Sequence, residues 1–219
     1  MWGGLTQPDM DPIAPPLPLR LGIFGGGFDP VHLGHLLAAQ DALEHAPLDR
    51  VVFMPAAQAP LKEQAPGLAG PQRLALLRAA IAGEPRFEVS TLELDRGGTS
   101  YSIDTARALL VDRPEAELFW IIGTDQAARL GAWRDIATLA TLVQFIVLAR
   151  PGYALPPAAM LPPGVRLHSV AVHELAISSS EIRARLAAGQ SARLFLPQPV
   201  ADHIEREHLY RTTAHAHSA

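Results

Sequence analysis

Two histidines, His32 and His35, follow a glycine run in LGIFGGGFDPVHLGH, residues 21–35. Imidazoles offer hydrogen-bond donors and switchable charge near neutral pH, and glycine lets a backbone approach an anion with no Cβ in the way. A helix starting after Pro30 would aim its unpaired N–H groups at the same place, where they favour phosphate oxygens. His32 and His35, at i and i+3 of its first turn, share one face. Gly25, Gly26, Gly27, His32 and His35 therefore read as a seat for a phosphate-bearing ligand flanked by two imidazoles. Phosphoryl and nucleotidyl transfers need little more than in-line positioning and neutralisation of spreading charge.

A finished dinucleotide cofactor is the competing occupant. The G-x-G-x-x-G fingerprint is met at Gly25 and Gly27 but fails at Pro30, and a start at Gly22 fails at Phe24. No G-x-x-x-x-G-K-[ST] loop is present. Metal-binding histidines on a helix more often stand four apart with a third ligand nearby, which this stretch lacks. A capping or core histidine is the plain alternative.

Other stretches carry polar groups where chemistry would be sought. In IIGTD, Gly123 and Asp125 close an apolar run; a carboxylate there suits ribose hydroxyls, or else caps a helix. In ISSSEIRARL, Ser178 and Ser179 open a helix as an anion site, with Arg183 adding a planar fork. Ser100 or Ser102 in SYSIDT is a candidate N-cap, and Trp133 in GAWRDI a candidate core anchor. Of 18 basic residues only Lys62 is a lysine, a compact ammonium suited to a phosphate or simply a solvated loop residue.

These residues need a frame, and the hydrophobic pattern supplies one. Apolar runs over 19–24, 51–56, 87–94, 117–123, 144–149 and 165–170 read as buried strands. Helix-period segments lie over 33–46, 71–83, 102–112, 125–130 and 135–141. The alternation predicts an α/β fold, a doubly wound, Rossmann-like, mostly parallel sheet covered on both faces. Residues 151–164 form a proline-rich connector. Beyond it, a serine-capped, glycine-stopped helix and a terminal helix with an early proline make a small helical C-terminal portion. Residues 1–18, with five prolines, read as a disordered or extended lead-in, 19–210 as one domain and 211–219 as a frayed tail. In such sheets ligands sit beyond the carboxyl ends of the strands, where the candidate residues fall.

Composition bounds the partners. The chain has 219 residues, 48% hydrophobic and 18% charged, with formal net charge −4, so no basic footprint for nucleic acid is expected. Without cysteine there are no disulfides, thiolate metal sites or cysteine nucleophiles. No apolar run nears the roughly 20 residues that span a bilayer, and the first residues lack a basic start and an apolar core, so no membrane partner and a cytoplasmic location are expected.

GGGFDPVHLGH resembles the G-G-[TS]-F-D-P-x-H-x-G-H signature of the H-x-G-H nucleotidyltransferase superfamily, and the chain from Leu21 to Tyr210 resembles bacterial nicotinate-mononucleotide adenylyltransferases. Gly27 stands where that family has Thr or Ser. SYSIDT is similar to S-Y-T-x-x-T, IIGTD to I-I-G-x-D and ISSSEIR to I-S-S-T-x-I-R, while Arg150 lies in a matched RPG. The resemblance implies that Gly25, Gly26, Gly27, His32, His35, Gly123, Asp125, Arg150, Ser178, Ser179 and Arg183 hold ATP, with His32 and His35 stabilising charge as pyrophosphate leaves. It implies that Tyr101, Ser102 and Trp133 meet the acceptor, with Trp133 stacked on its ring. The family's N-x-x-P-P-H-K loop departs here to Ala59-Pro60-Leu61-Lys62, losing the histidine but keeping Lys62. The implied reaction is adenylyl transfer from ATP to nicotinate mononucleotide, with Mg²⁺ accompanying ATP and held by phosphates and water. Nicotinamide mononucleotide or phosphopantetheine as acceptor, and a non-catalytic nucleotide-binding regulator, stay open, as does a homo-oligomer.

Overall fold

The computed structural model describes residues 17–60, 67–149 and 155–211. Lys62 and Arg150, together with most of the lead-in and the tail, lie outside the described residues. Six strands form one sheet: β1 (Arg20–Gly26), β2 (Arg50–Pro55), β3 (Phe87–Val89), β4 (Glu117–Gly123), β5 (Val143–Ala149) and β6 (Leu167–Ala171). Their order is β3-β2-β1-β4-β5-β6, and every pairing is parallel. The chain winds outward from β1 in both directions, so the order reverses between β1 and β4, where doubly wound sheets open a crevice for ligands.

Parallel strands buried on both faces read as continuous apolar runs, and their period of two then sorts alternate residues to opposite layers. Phe53, Phe119, Ile121, Ile146 and Leu148 face one core, while Met54, Leu118, Trp120, Ile122, Phe145 and Val147 face the other. The first core is roofed by α1 (Leu33–His45), α2 (Gly70–Ile81), α7 (Ser179–Ala187) and α8 (Gln198–Arg206). The second is roofed by α4 (Ser102–Asp112), α5 (Thr124–Ala127) and α6 (Ile136–Leu142). Gly22 within β1 is closely packed: a Cβ there would stand 2.7 Å from Leu48 Cδ1 and 2.9 Å from Ile121 Cδ1, so both side chains would have to shift.

The expected strand over 87–94 is corrected. Pairing ends at Val89, and α3 (Leu92–Arg96) follows, because the Ser90 hydroxyl accepts the Leu92 N–H and starts a helix. The helix expected over 125–130 divides into α5 and a 3-10 turn, Leu130–Ala132. Pro199 in the first turn of α8 and the left-handed Gly189 beyond α7 supply the expected start and stop.

Candidate active site

Strand β1 runs to Gly26, and the chain then turns through Phe28, at φ 46°, and a cis Asp29–Pro30 peptide into α1. A Cβ at Gly25 would meet nothing within 4 Å, so its backbone lies open to an approaching ligand. At Gly26 the Phe28 ring stands 3.0 Å from where a Cβ would be.

His32 does not enter the first helical turn, as the spacing predicts, but is its extended N-cap, with His35 at N3. The i, i+3 relation still brings the imidazoles together, with ring centroids 3.7 Å apart and planes 31° from parallel. The His35 Nδ1 accepts the His32 backbone N–H at 3.3 Å, satisfying one of the helix's orphan donors. Phe28 walls His35, its ring centroid 5.0 Å away.

His32 is 6% exposed, and its Nδ1 is buried with no hydrogen-bond partner. Gly34, the third residue of HLGH, lets the ring pack close, since a Cβ there would stand 3.1 Å from that nitrogen. Burial pulls the His32 pKa from about 6.5 down to about 4, so the ring is neutral at physiological pH. A neutral imidazole with an unused buried nitrogen has an unmet hydrogen bond to offer a ligand.

Helix α7 closes on the same turn. The Ser178 hydroxyl accepts the Glu181 N–H as an N-cap, while the Ser179 hydroxyl donates to the Pro30 carbonyl at 2.9 Å. Arg183 donates to the Asp29 carbonyl at 2.7 Å and to the Ser180 hydroxyl at 3.3 Å. Ser179 is thus partly spent on holding the turn after the glycines, and the half-buried Arg183 is fixed beside it. The structure brings Gly25–Gly27, His32, His35, Ser179 and Arg183 around one turn.

Asp125 and Gly123 lie at the carboxyl end of β4. The N-cap of α5 is Gly123 and not Asp125, whose exposed carboxylate crosses Gly123 so closely that a Cβ there would be 2.6 Å from Oδ1.

Neither Ser100 nor Ser102 caps α4: Tyr101 is its N-cap, and the Ser100 hydroxyl accepts the Ala57 N–H at 3.0 Å. This bond, with the Ser100 N–H donating to the Gln58 carbonyl at 2.9 Å, ties the SYS segment to the loop after β2. Arg134 lies over the Tyr101 ring, 4.6 Å from its centroid, and pairs with Asp104 at 3.5 Å. The half-buried Trp133 meets Phe145 edge-on at 6.1 Å, and its indole N–H is buried without a partner.

Three supporting residues escaped the sequence reading. Arg73 is 2% exposed and donates to the carbonyls of Gly27 at 2.7 Å, Ala56 at 2.9 Å and Leu68 at 3.2 Å. Asp29 accepts the N–H groups of Gly67 and Leu68 and the Tyr210 hydroxyl. In sequence, Arg73 looks like any polar position of an amphipathic helix and Tyr210 like the end of one; no local pattern marks either.

The comparisons with known proteins agree with this geometry. A family model described as Cytidylyltransferase-like matches residues 23–185. A relative from Opitutus terrae, named "Probable nicotinate-nucleotide adenylyltransferase", is 49% identical over 193 residues, covering 88% of this chain and 98% of its own. A relative of the same name from Thermus thermophilus is 45% identical, over 88% of this chain and all of its own. Among solved structures, the nicotinic acid mononucleotide adenylyltransferase of Plasmodium falciparum complexed with NaAD shares the fold. Its TM-score is 0.68 at 17% identity, over 88% of this chain and 97% of that one.

Proposed function

The chain belongs to the Cytidylyltransferase-like family and, within it, to the nicotinate-nucleotide adenylyltransferases, and from that premise we infer that it transfers the adenylyl group of ATP to nicotinate mononucleotide, a step of NAD biosynthesis. The products are nicotinate adenine dinucleotide and pyrophosphate. The observation that carries the chemistry is the buried, unpartnered His32 Nδ1 beside His35 at the end of β1.

An acceptor phosphate oxygen attacks the α-phosphorus of ATP as the bond to the β-phosphate oxygen breaks. No covalent nucleophile is needed, because positioning and charge stabilisation supply the catalysis. The backbone of Gly25–Gly27, open at Gly25, and the start of α1 receive phosphates. His32 and His35 hydrogen-bond the oxygens on which charge builds, and Arg183 offers the guanidinium hydrogens that Asp29 and Ser180 leave unused. Asp125 accepts from ribose hydroxyls, and Tyr101, Ser102 and Trp133 face the acceptor, with the Trp133 indole N–H as a spare donor. Ser178 acts through its cap on α7. Arg150 and Lys62 serve the triphosphate and the acceptor phosphate in this reading.

Among the described residues no group of three His, Asp or Glu side chains is placed to hold a metal ion. Mg²⁺ brought in with ATP would be held by its phosphates and water and would supply charge neutralisation for the leaving pyrophosphate. No helix among the described residues is long and apolar enough to cross a membrane. A cytoplasmic location accords with a reaction that draws on ATP.

The test is pyrophosphate release from ATP and Mg²⁺ with nicotinate mononucleotide, its amide counterpart or phosphopantetheine. We expect release with the acid at the highest kcat/KM. Preference for another acceptor would reassign the substrate, and no release with any would leave a nucleotide-binding regulator.

A further inference from the structure

Asp29 has no part in the transfer as described, yet both its carboxylate oxygens are committed. Oδ2 accepts the Gly67 N–H at 2.6 Å and stands 3.8 Å from the Arg183 guanidinium. Oδ1 accepts the Leu68 N–H at 3.2 Å and the Tyr210 hydroxyl at 2.8 Å. The residue is 5% exposed, and its carbonyl takes a further bond from Arg183. Burying a carboxylate is costly unless charge and hydrogen bonds answer it. Here the answer comes from segments far apart in sequence, which the carboxylate holds together.

Those segments bear on the reacting phosphates. Asp29 sits in the turn between Gly27 and His32, and Arg183 is the cation assigned to the triphosphate. Gly67 and Leu68 follow residues 61–66 directly, and Gly67 comes so near that a Cβ on it would lie 3.3 Å from Asp29 Oδ2. Arg73 fastens the Gly27 and Leu68 carbonyls to each other from below. Tyr210, just beyond α8, reaches back across the chain to the same carboxylate, and burial together with the neighbouring Asp29 charge keeps its phenol protonated.

We propose that Asp29, gripped by Tyr210, is a positioning residue for adenylyl transfer: it fixes the spacing between the phosphate turn and Arg183. The C-terminal end of the chain thereby contributes to the geometry of a site built at its N-terminal end. Since a misplacement of about 1 Å can cost roughly a hundredfold in rate, losing one bond of this set should register in turnover.

The test is steady-state kinetics and thermal unfolding of Asp29→Asn, Tyr210→Phe and the double variant, beside the wild-type chain. Asp29→Asn should lower kcat about thirtyfold and Tyr210→Phe about fivefold, each with a smaller change in KM for nicotinate mononucleotide. The double variant should fall no more than about twofold below Asp29→Asn, because the tyrosine acts through the carboxylate. Multiplying effects, or unfolding midpoints that drop while kcat holds, would mean a purely structural role and overturn the proposal. Should Asp29→Asn fail to fold, Tyr210→Phe decides alone: unchanged kcat overturns the proposal, and a fall with the midpoint kept within about 3 °C supports it. The inference rests on the adenylyl-transfer reading. A wild-type chain without pyrophosphate release overturns both, whereas an active wild type with unaffected variants overturns only the role of Asp29.

Discussion

On the side of the sheet's carboxyl edge assigned to the phosphates, buried groups hold one another chiefly through backbone. Arg73 gathers the Gly27, Ala56 and Leu68 carbonyls, Ser179 and Arg183 take those of Pro30 and Asp29, and His35 accepts the N–H of His32. On the side assigned to the acceptor ring, Ser100 bonds the Ala57 and Gln58 backbone, but the ties around Tyr101 and Asp135 run between exposed side chains. Arg134 covers Tyr101 and reaches Asp104, and Arg107 reaches Asp135 at 3.3 Å, each pair more than a third exposed. Exposed ion pairs of this kind contribute about 0–1 kcal/mol, whereas breaking a buried bond leaves a polar group unsatisfied at about 1–3 kcal/mol. The phosphate side is therefore set before substrate arrives, as charge stabilisation in a transfer reaction requires. The ring side is held weakly enough to adjust around its ligand.

The largest effect that could break this contrast belongs to His35. His35→Ala should lower kcat at least about a hundredfold with little change in substrate KM, as removing one preorganised donor does elsewhere. An unchanged kcat would leave the pair of histidines without a catalytic role. A step smaller, Gly123→Ala places a Cβ where Asp125 Oδ1 now lies. The short carboxylate can rotate away, so we expect KM for ATP to rise about tenfold while the unfolding midpoint stays near that of the parent, an effect of roughly 1.4 kcal/mol.

The rigidity of the phosphate side also has a pH signature. His32 is neutral and buried when folded, with a pKa near 4, and in the unfolded chain it titrates near 6.5. Between those values the unfolded state binds the extra proton, so stability is complete above about pH 6.5 and is lost as pH falls toward 4. Denaturant unfolding of wild type and His32→Gln at pH 7.5 and 4.5 should show the variant losing less by roughly 2 kcal/mol. Equal losses would mean the ring is not buried in its neutral form. The smallest effect is expected on the ring side: Arg134→Ala should change stability by no more than about 1 kcal/mol and acceptor KM by about twofold. A tenfold change there would erase the distinction between the two sides.

The division between the sides also explains what could be read from sequence. Strands β1, β2, β4 and β5 are legible because burial on both faces demands unbroken apolar runs, as in ELFWIIG. The run FEVSTLEL misleads, since β3 is a short edge strand and the Ser90 hydroxyl turns the rest into a helix. HLGH announces the histidines, but not that one of them is an N-cap with a buried, unused nitrogen. Arg73, Asp29 and Tyr210 stay hidden because each acts on backbone or side chains distant in sequence; Asp29 and Tyr210 are 181 residues apart. Such contacts exist only once the sheet has wound in both directions.

The most direct measurement follows phosphorus through a single turnover. Enzyme in excess over ATP and Mg²⁺ should release no pyrophosphate until nicotinate mononucleotide is added, and then one dinucleotide per pyrophosphate. With ¹⁸O in the acceptor's phosphate, the label should appear in the dinucleotide and none in pyrophosphate, as direct attack on the α-phosphorus requires. Pyrophosphate released before acceptor is present, or label found in it, would contradict the account.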